Sequence, residues 1–138
     1  MIAVDTSVLS LAFRRARRAT GREHPAVGRL RETIRTGVPV FLPGICLQEV
    51  LSGVRTREQF ERLTRVLSPF PVLLASRAHH LAAARIANAC RAAGVAATAV
   101  DALIAAITLE HRARLLTTDD DFERIARLCG LQLEPHSV

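Results

Sequence analysis

An α/β fold with a short, mainly parallel sheet is what this sequence predicts, and three observations carry it. Short apolar runs alternate with longer segments of helical period from one end of the chain to the other. Proline and glycine punctuate those segments, at Gly37, Pro43, Pro69, Pro71, Gly94 and Gly130, as helix starts and stops should. No repeat, low-complexity tract or linker divides the chain, so its 138 residues read as one domain spanning 1–138.

Taken in order, "IAV" at 2–4 is a strand that runs directly into Asp5, and a helix is expected over 6–17. A second helix over 25–36 stops at Gly37, and "VFL" at 40–42 is the next strand. Pro43 opens a helix over 43–54 whose apolar stripe is Leu47, Val50, Leu51 and Val54, and another helix follows over 56–67. Pro69 and Pro71 then lead into the strand "VLL" at 72–74. Long helices are expected over 76–93, ended by Gly94, and over 100–112. "RLLT" at 114–117 is a strand, 120–129 a helix with Phe122, Ile125, Ala126 and Cys129 as its buried stripe, and "LQL" at 131–133 the last strand.

Every basic side chain other than histidine is arginine, since the sequence has no lysine. That removes P-loop and Schiff-base chemistries, both of which need one. The formal net charge of +6 points to a polyanionic partner. The densest basic run, Arg14, Arg15, Arg17 and Arg18, either contacts phosphates or ends the first helix, where the dipole favours cations. With no Trp or Tyr, a stacking platform for bases is not expected, so nucleic acid would be gripped by its backbone. Cys46, Cys90 and Cys129 are odd in number and widely spaced, which fits small core residues in a reduced compartment. The apolar N-terminus lacks a basic lead-in and is interrupted by Asp5, and no apolar run reaches the roughly 20 residues a membrane span needs. A cytoplasmic protein is expected.

Aspartate is concentrated at Asp5, Asp101 and the triplet Asp119, Asp120 and Asp121. Asp5 and the triplet fall just past the carboxyl ends of two strands, the edge where open parallel sheets bind ligands. Asp101 opens "DALIAAITLEH", whose Ala102, Ala105 and Ala106 let that helix end pack closely on the sheet. Each aspartate alone is a good helix cap. Three of them converging would repel and raise each other's pKa unless a cation were present, and a hard ion, Mg²⁺ or Mn²⁺, suits oxygen ligands. No His/Cys cluster competes for a softer metal: His79 and His80 are adjacent, while His24, His111 and His136 stand alone and read as solvated or capping. Thr6 and Ser7 supply hydroxyls beside Asp5. The helical phase of 120–129 puts Asp119 beside the buried stripe, Asp121 at its border and Asp120 toward water as a solvated cap. Asp119 is therefore the first choice of ligand and Asp121 the second.

"MIAVDTSV", "LQEVLSG" at 47–53, "AVDALIAA" at 99–106 and "LLTTDDDFERIA" at 115–126 resemble, in order and spacing, the motifs of PIN-domain nucleases, in particular the VapC toxins of VapBC toxin–antitoxin pairs. The likeness covers essentially the whole chain. It implies a three-layer α/β/α domain and a Mg²⁺- or Mn²⁺-dependent ribonuclease site of four acids, here Asp5, Glu49, Asp101 and Asp119, with Thr117 and Asp121 in supporting positions. It also implies an RNA substrate, a homodimer and an inhibitory VapB-like antitoxin. Glu49 is where motif and periodicity part: the stripe of its own helix leaves it on the solvated face, whereas the motif makes it catalytic. The expected chemistry is metal-assisted hydrolysis of RNA, Asp5, Asp101 and Asp119 holding the ion directly or through water and Glu49 orienting the attacking water or helping to place a second ion. A haloacid-dehalogenase-type phosphatase fails on Ser7, where a second Asp is needed, and on the missing lysine. A non-catalytic PIN-like nucleic-acid-binding domain is the alternative.

Overall fold

The computed structural model describes residues 1–14 and 22–136. Five strands, β1 (Ile2–Val4), β2 (Val40–Pro43), β3 (Val72–Leu73), β4 (Arg114–Leu116) and β5 (Gln132–Leu133), stand at the expected places. They form one sheet in the order β3-β2-β1-β4-β5. Every pairing is parallel, with Ala3 opposite both Phe41 and Leu115. β1, β2 and the inner residues of β4 are buried, as apolar runs covered on both faces should be. The edge strand β3 is shorter than expected: Leu74, 77% exposed, has left the ladder.

The helices are α1 (Thr6–Leu9), α2 (Pro25–Arg35), α3 (Gly44–Leu51), α4 (Arg57–Leu67), α5 (Arg77–Ala92), α6 (Ala99–Glu110) and α7 (Asp121–Cys129). The single helix expected over 6–17 is not continuous: α1 lasts four residues and a π-helical turn, Ser10–Arg14, replaces its continuation. Side-chain caps fix the starts of α4, α5 and α6. Thr56 accepts the Gln59 N–H at 3.1 Å, Ser76 and His79 form a capping box on α5, and Thr98 and Asp101 form one on α6. Gly130, at φ 77°, ends α7 in the left-handed conformation that costs glycine least.

Chain direction assigns the layers. From β1 to β2 to β3 the chain steps one way across the sheet, and from β3 to β4 to β5 it steps back. Right-handed crossovers therefore put α1–α4 on one face and α5–α7 on the other, consistent with α5 packing on α6 and α7 and α3 on α1 and α4. α6 is the most deeply set: Ala102, Ile104, Ala105, Ala106, Ile107 and Thr108 are all buried. Small side chains on α6 and on α5, where Ala83 is buried, let the two helices approach closely. Leu42, Leu115, Leu116, Phe122 and Ile125 fill the space around the sheet. The buried Glu134, just past β5, takes Arg29 Nε at 2.8 Å and lies 3.6 Å from Arg114, so the end of the chain is tied to α2 and β4. Among the described residues no helix is long and apolar enough to cross a membrane.

Reversal of direction creates a switch point between β1 and β4, the crevice where doubly wound sheets hold their ligands. Asp5 and Thr117 are the first residues beyond those two strand ends.

Candidate active site

Asp5 is placed by the sheet itself. Its N–H donates to Leu116 O at 3.0 Å, and its carbonyl accepts from Val8 and Leu9 at the start of α1. Although Asp5 occupies the N-cap position, its side chain makes no capping bond. The carboxylate instead accepts the hydroxyls of Ser7 at 2.8 Å and Thr117 at 2.7 Å, both on Oδ2. Asp5 is only 5% exposed, and burial raises its pKa above the ordinary 3.8, with the hydroxyls of Thr117 and Ser7 and the amides of Thr6 and Ser7 pulling the other way. Among the described residues no cationic side chain forms an ion pair with it.

The two hydroxyls extend the group along the β4 loop. Ser7 Oγ accepts the Thr118 N–H and Thr117 Oγ1 accepts the Asp119 N–H, each at 3.0 Å. Each hydroxyl has one proton, given to Asp5, so the 3.3 Å approach of Ser7 to Thr117 is a contact between acceptors and not a further bond. His136, unassigned from sequence, joins from the far end of the chain: its Nε2 lies 2.8 Å from Thr117 O. Nothing local to His136 signals that role, because the contact depends on the path of the chain after β5.

Glu49 corrects the periodicity reading. Thr6 Oγ1 donates to Glu49 Oε1 at 2.7 Å, which links α3 to the first residue of α1. The buried positions of α3 are Cys46 and Val50, and Glu49 lies only about 60° around the helix from Cys46. Leu47, Leu51 and Val54 are half-buried, so the stripe drawn through them was rotated away from the true centre and put Glu49 on the wrong side. The Cys46 thiol beneath is pushed up to about 12, by burial first and then by the charge of Asp5, with Glu49 adding to it. Both carboxylates thus act on one thiol, and that thiol is inert as a nucleophile.

Asp101 is the third residue of α6, not its first. Its N–H donates to Thr98 Oγ1 at 3.0 Å and its Oδ2 accepts the Thr98 N–H at 3.1 Å. One carboxylate oxygen is therefore engaged in capping. Thr98→Ala is expected to destabilise the chain by about 1 kcal/mol, read as a shifted urea midpoint at unchanged slope. An unchanged midpoint would show that Asp101 is positioned by something other than the capping box.

The triplet divides differently from the expectation. The capping bond belongs to Asp119, whose Oδ1 accepts the Asp121 N–H at 2.9 Å, and not to Asp120, which is exposed and makes no side-chain cap. Asp119 is half-buried, while Asp121 Oδ1 is taken by Arg124 at 2.5 Å on the surface. Phe122 and Ile125 form the buried centre of α7, with Ala126 and Cys129 half-buried beside them.

The expected mutual repulsion of converging acids is not what perturbs Asp5; burial is the largest cause. Among the described residues no three His, Cys, Asp or Glu side chains are close enough to enclose a metal ion. The structure joins Asp5, Ser7, Thr117 and the backbone amide of Asp119 by hydrogen bonds, pairs Glu49 with Thr6, and leaves Asp101 in its own capping pair. Arg14 is exposed at the end of the π-helical turn, and Arg15, Arg17 and Arg18 lie outside the described residues. The histidines are not simply solvated. His24 caps α2, and the buried His79 meets Glu110 through Nε2 and faces the His111 ring at 5.8 Å.

Comparison with known proteins locates this geometry. The chain is 38% identical over 86 residues to the VapC ribonuclease Mb1587 of Mycobacterium bovis and to ribonuclease VapC11 of Mycobacterium tuberculosis, an alignment spanning 61% of this chain and 64% of either relative. Its fold matches FitAcB from Neisseria gonorrhoeae at TM-score 0.76 and 21% identity over 100% of both chains. VapBC2 from Rickettsia felis, bound to a promoter DNA fragment, matches at TM-score 0.76 and 19% identity over 97% of this chain and 98% of that one. The PIN domain model matches residues 2–128, which with the sheet order and the acids at its switch point establishes that the chain belongs to the PIN domain family.

Proposed function

We propose that the chain is a divalent-metal-dependent endoribonuclease that acts in the cytoplasm as the toxin of a toxin–antitoxin pair, with its chemistry at Asp5. The observation that carries this is a carboxylate held at the sheet's switch point, 5% exposed and with no countercharge among the described residues. Burying an anion in that way is costly unless a cation arrives. The named activity of the two mycobacterial relatives supports the nuclease reading. Structural neighbours described as toxin–antitoxin complexes, including one from Klebsiella pneumoniae at TM-score 0.70, support a VapB-like antitoxin as partner. A homodimer is proposed with it.

The donor set fits a hydrated hard ion and not a closed cage. Mg²⁺ commonly keeps several waters and takes one or two carboxylates, which agrees with a single buried carboxylate at the switch point. Asp5, Asp101 and Asp119 would hold Mg²⁺ or Mn²⁺ directly or through water. When bound, the ion supplies charge neutralisation at the phosphate and a lowered pKa for its water.

The chain's own residues have separable tasks. Ser7 and Thr117 fix the Asp5 carboxylate through Oδ2, so Oδ1 would be the oxygen offered to the ligand. Glu49, oriented by Thr6, accepts a proton from the attacking water as its oxygen bonds to phosphorus and the bond to the leaving ribose oxygen breaks. That leaving oxygen is protonated from solvent. Asp121 supports the loop by donating its N–H to Asp119 Oδ1, and the arginines near the cleft hold flanking phosphates.

The deciding experiment incubates purified protein with single-stranded RNA in EDTA, Mg²⁺ or Mn²⁺. Cleavage only with added metal is expected, and undiminished cleavage in EDTA would sink the metal mechanism. Asp101, hydrogen-bonded to Thr98 and not to the group at Asp5, favours the second reading, a PIN-like domain that binds nucleic acid without turnover. RNA binding with no cleavage in either metal would establish that reading instead.

A further inference from the structure

A cleft outside the acidic group has the opposite charge. It lies between the π-helical turn, the loop after α3 and the first two turns of α4, and is lined by Phe13, Arg14, Gly53, Arg55, Gln59 and Arg62 among others. Among the described residues none of these three arginines is ion-paired; the nearby Arg57 is, to Glu61, across its own helix at 3.0 Å. Three unpartnered guanidiniums facing one cavity repel each other and gain most from a shared anion.

Two features make this a built cleft instead of a chance collection of surface charge. Gly53, at φ +83°, lets the Arg14 guanidinium lie against the backbone: a Cβ there would stand 3.0 Å from Arg14 Nη2. Both walls also continue segments that carry the acids. The turn bearing Arg14 follows α1, which starts from Asp5, and the loop bearing Gly53 and Arg55 follows α3, which carries Glu49. Arg14 is nine residues along the chain from Asp5, and Gly53 four residues from Glu49.

We propose that Arg14, Arg55 and Arg62, with the Gln59 amide, form a backbone-phosphate subsite for a single-stranded RNA, one or two nucleotides from the bond cleaved at Asp5. Arginine presents a planar fork of donors that matches phosphate oxygens two at a time, and glutamine adds a neutral donor. Phe13 offers its edge to Phe70, with ring centroids 6.1 Å apart, so it walls the cleft and is not free to stack on a base. The subsite reads backbone charge and not sequence. An RNA strand is favoured over an acidic peptide because the cleft's walls lead back to the acids, where a phosphodiester would be the bond cleaved and a peptide carboxylate would have no use.

This subsite rests on the ribonuclease reading but is tested apart from it, by binding of a short fluorescent single-stranded RNA to the full chain in EDTA, where no turnover is expected. Arg55→Gln with Arg62→Gln is expected to weaken binding about tenfold or more and to reduce the slope of log affinity against log salt by about 0.7, the value for one phosphate on a single strand. Arg77→Gln, on α5 and exposed, should stay within about twofold of wild type. Circular dichroism confirms folding of each variant. Unchanged affinity in the double variant would overturn the subsite, whether or not the chain cleaves RNA. So would an equal loss of affinity for a poly-glutamate peptide, which would assign the cleft to an acidic protein partner. Retained binding differences with no cleavage in any metal would leave the subsite standing and strike only the nuclease reading.

Discussion

Asp5→Asn is expected to lower RNA cleavage by on the order of a thousandfold and, in metal-free buffer at neutral pH, to raise thermal stability. The two effects share one cause. The Asp5 carboxylate is held by Ser7 and Thr117 but has no cationic partner among the described residues, and burial raises its pKa above 3.8. Between the unfolded and the folded pKa the native chain holds a proton that the unfolded chain has released. Stability therefore falls as pH rises through that window, and the loss persists at all higher pH. Asn removes the charge while its carbonyl can still accept both hydroxyls. The stability gain of Asp5→Asn should consequently be present at pH 7 and small at pH 3.5, each kcal/mol appearing as roughly 4 °C in Tm. Saturating Mg²⁺ should narrow the difference by stabilising the wild type alone. A variant less stable than wild type at pH 7 without metal would mean that the Asp5 charge is matched in the native state.

The extent to which sequence anticipated this site follows from the range of the interactions. Strand and helix identity depends on local period, and each expected strand core, and each expected helix after the first, has its counterpart in the structure, while residues 15–17 of the helix expected over 6–17 lie outside the described residues. Where the local signal was thin, boundaries moved: the first helix breaks at Ser10 into a π-helical turn, which no apolar spacing announces. Sheet order is another matter. Asp5 and Thr117 are hydrogen-bonded across a separation of 112 residues because β1 pairs with β4, a choice made by tertiary packing. The strand reading put both strand ends on one sheet edge, and the direct pairing of β1 with β4 is what it left open.

Glu49 shows the limit of a stripe read by hydrophobicity alone. Cys46, fully buried, was treated as one small core residue among others, while the larger Leu47 and Leu51 drew the stripe toward themselves. Including Cys46 as the centre rotates the helix and puts Glu49 beside α1. Backbone-directed bonds were the least visible. Asp119 accepting the Asp121 N–H, and Asp101 accepting the Thr98 N–H, are both ordinary capping, and both use carboxylates selected as ligands from sequence. A cap and a ligand need not exclude each other, since a carboxylate has two oxygens and each capping bond occupies only one.

That overlap decides how the triplet must be tested. Asp119→Ala removes both the cap of α7 and a proposed ligand, so its loss of cleavage by orders of magnitude would be accompanied by about 1 kcal/mol of destabilisation. Asp119→Asn separates the two, because asparagine caps as well as aspartate through its carbonyl oxygen but carries no charge. Its melting temperature should stay near wild type while cleavage falls nearly as far as in Asp119→Ala. Asp120→Ala should change neither quantity appreciably, as that side chain is exposed and makes no capping bond. Asp121→Ala loses an exposed ion pair with Arg124, contributing at most about 1 kcal/mol, and should fall between the others in activity. Rates, metal titrations and melting curves of the four variants, measured side by side, check the order. If Asp119→Asn cleaves RNA at the wild-type rate, Asp119 is a cap alone, and the fourth acid must be sought at Asp121. If Asp120→Ala is the inactive one, the phase of α7 set by Phe122 and Ile125 does not describe the active chain.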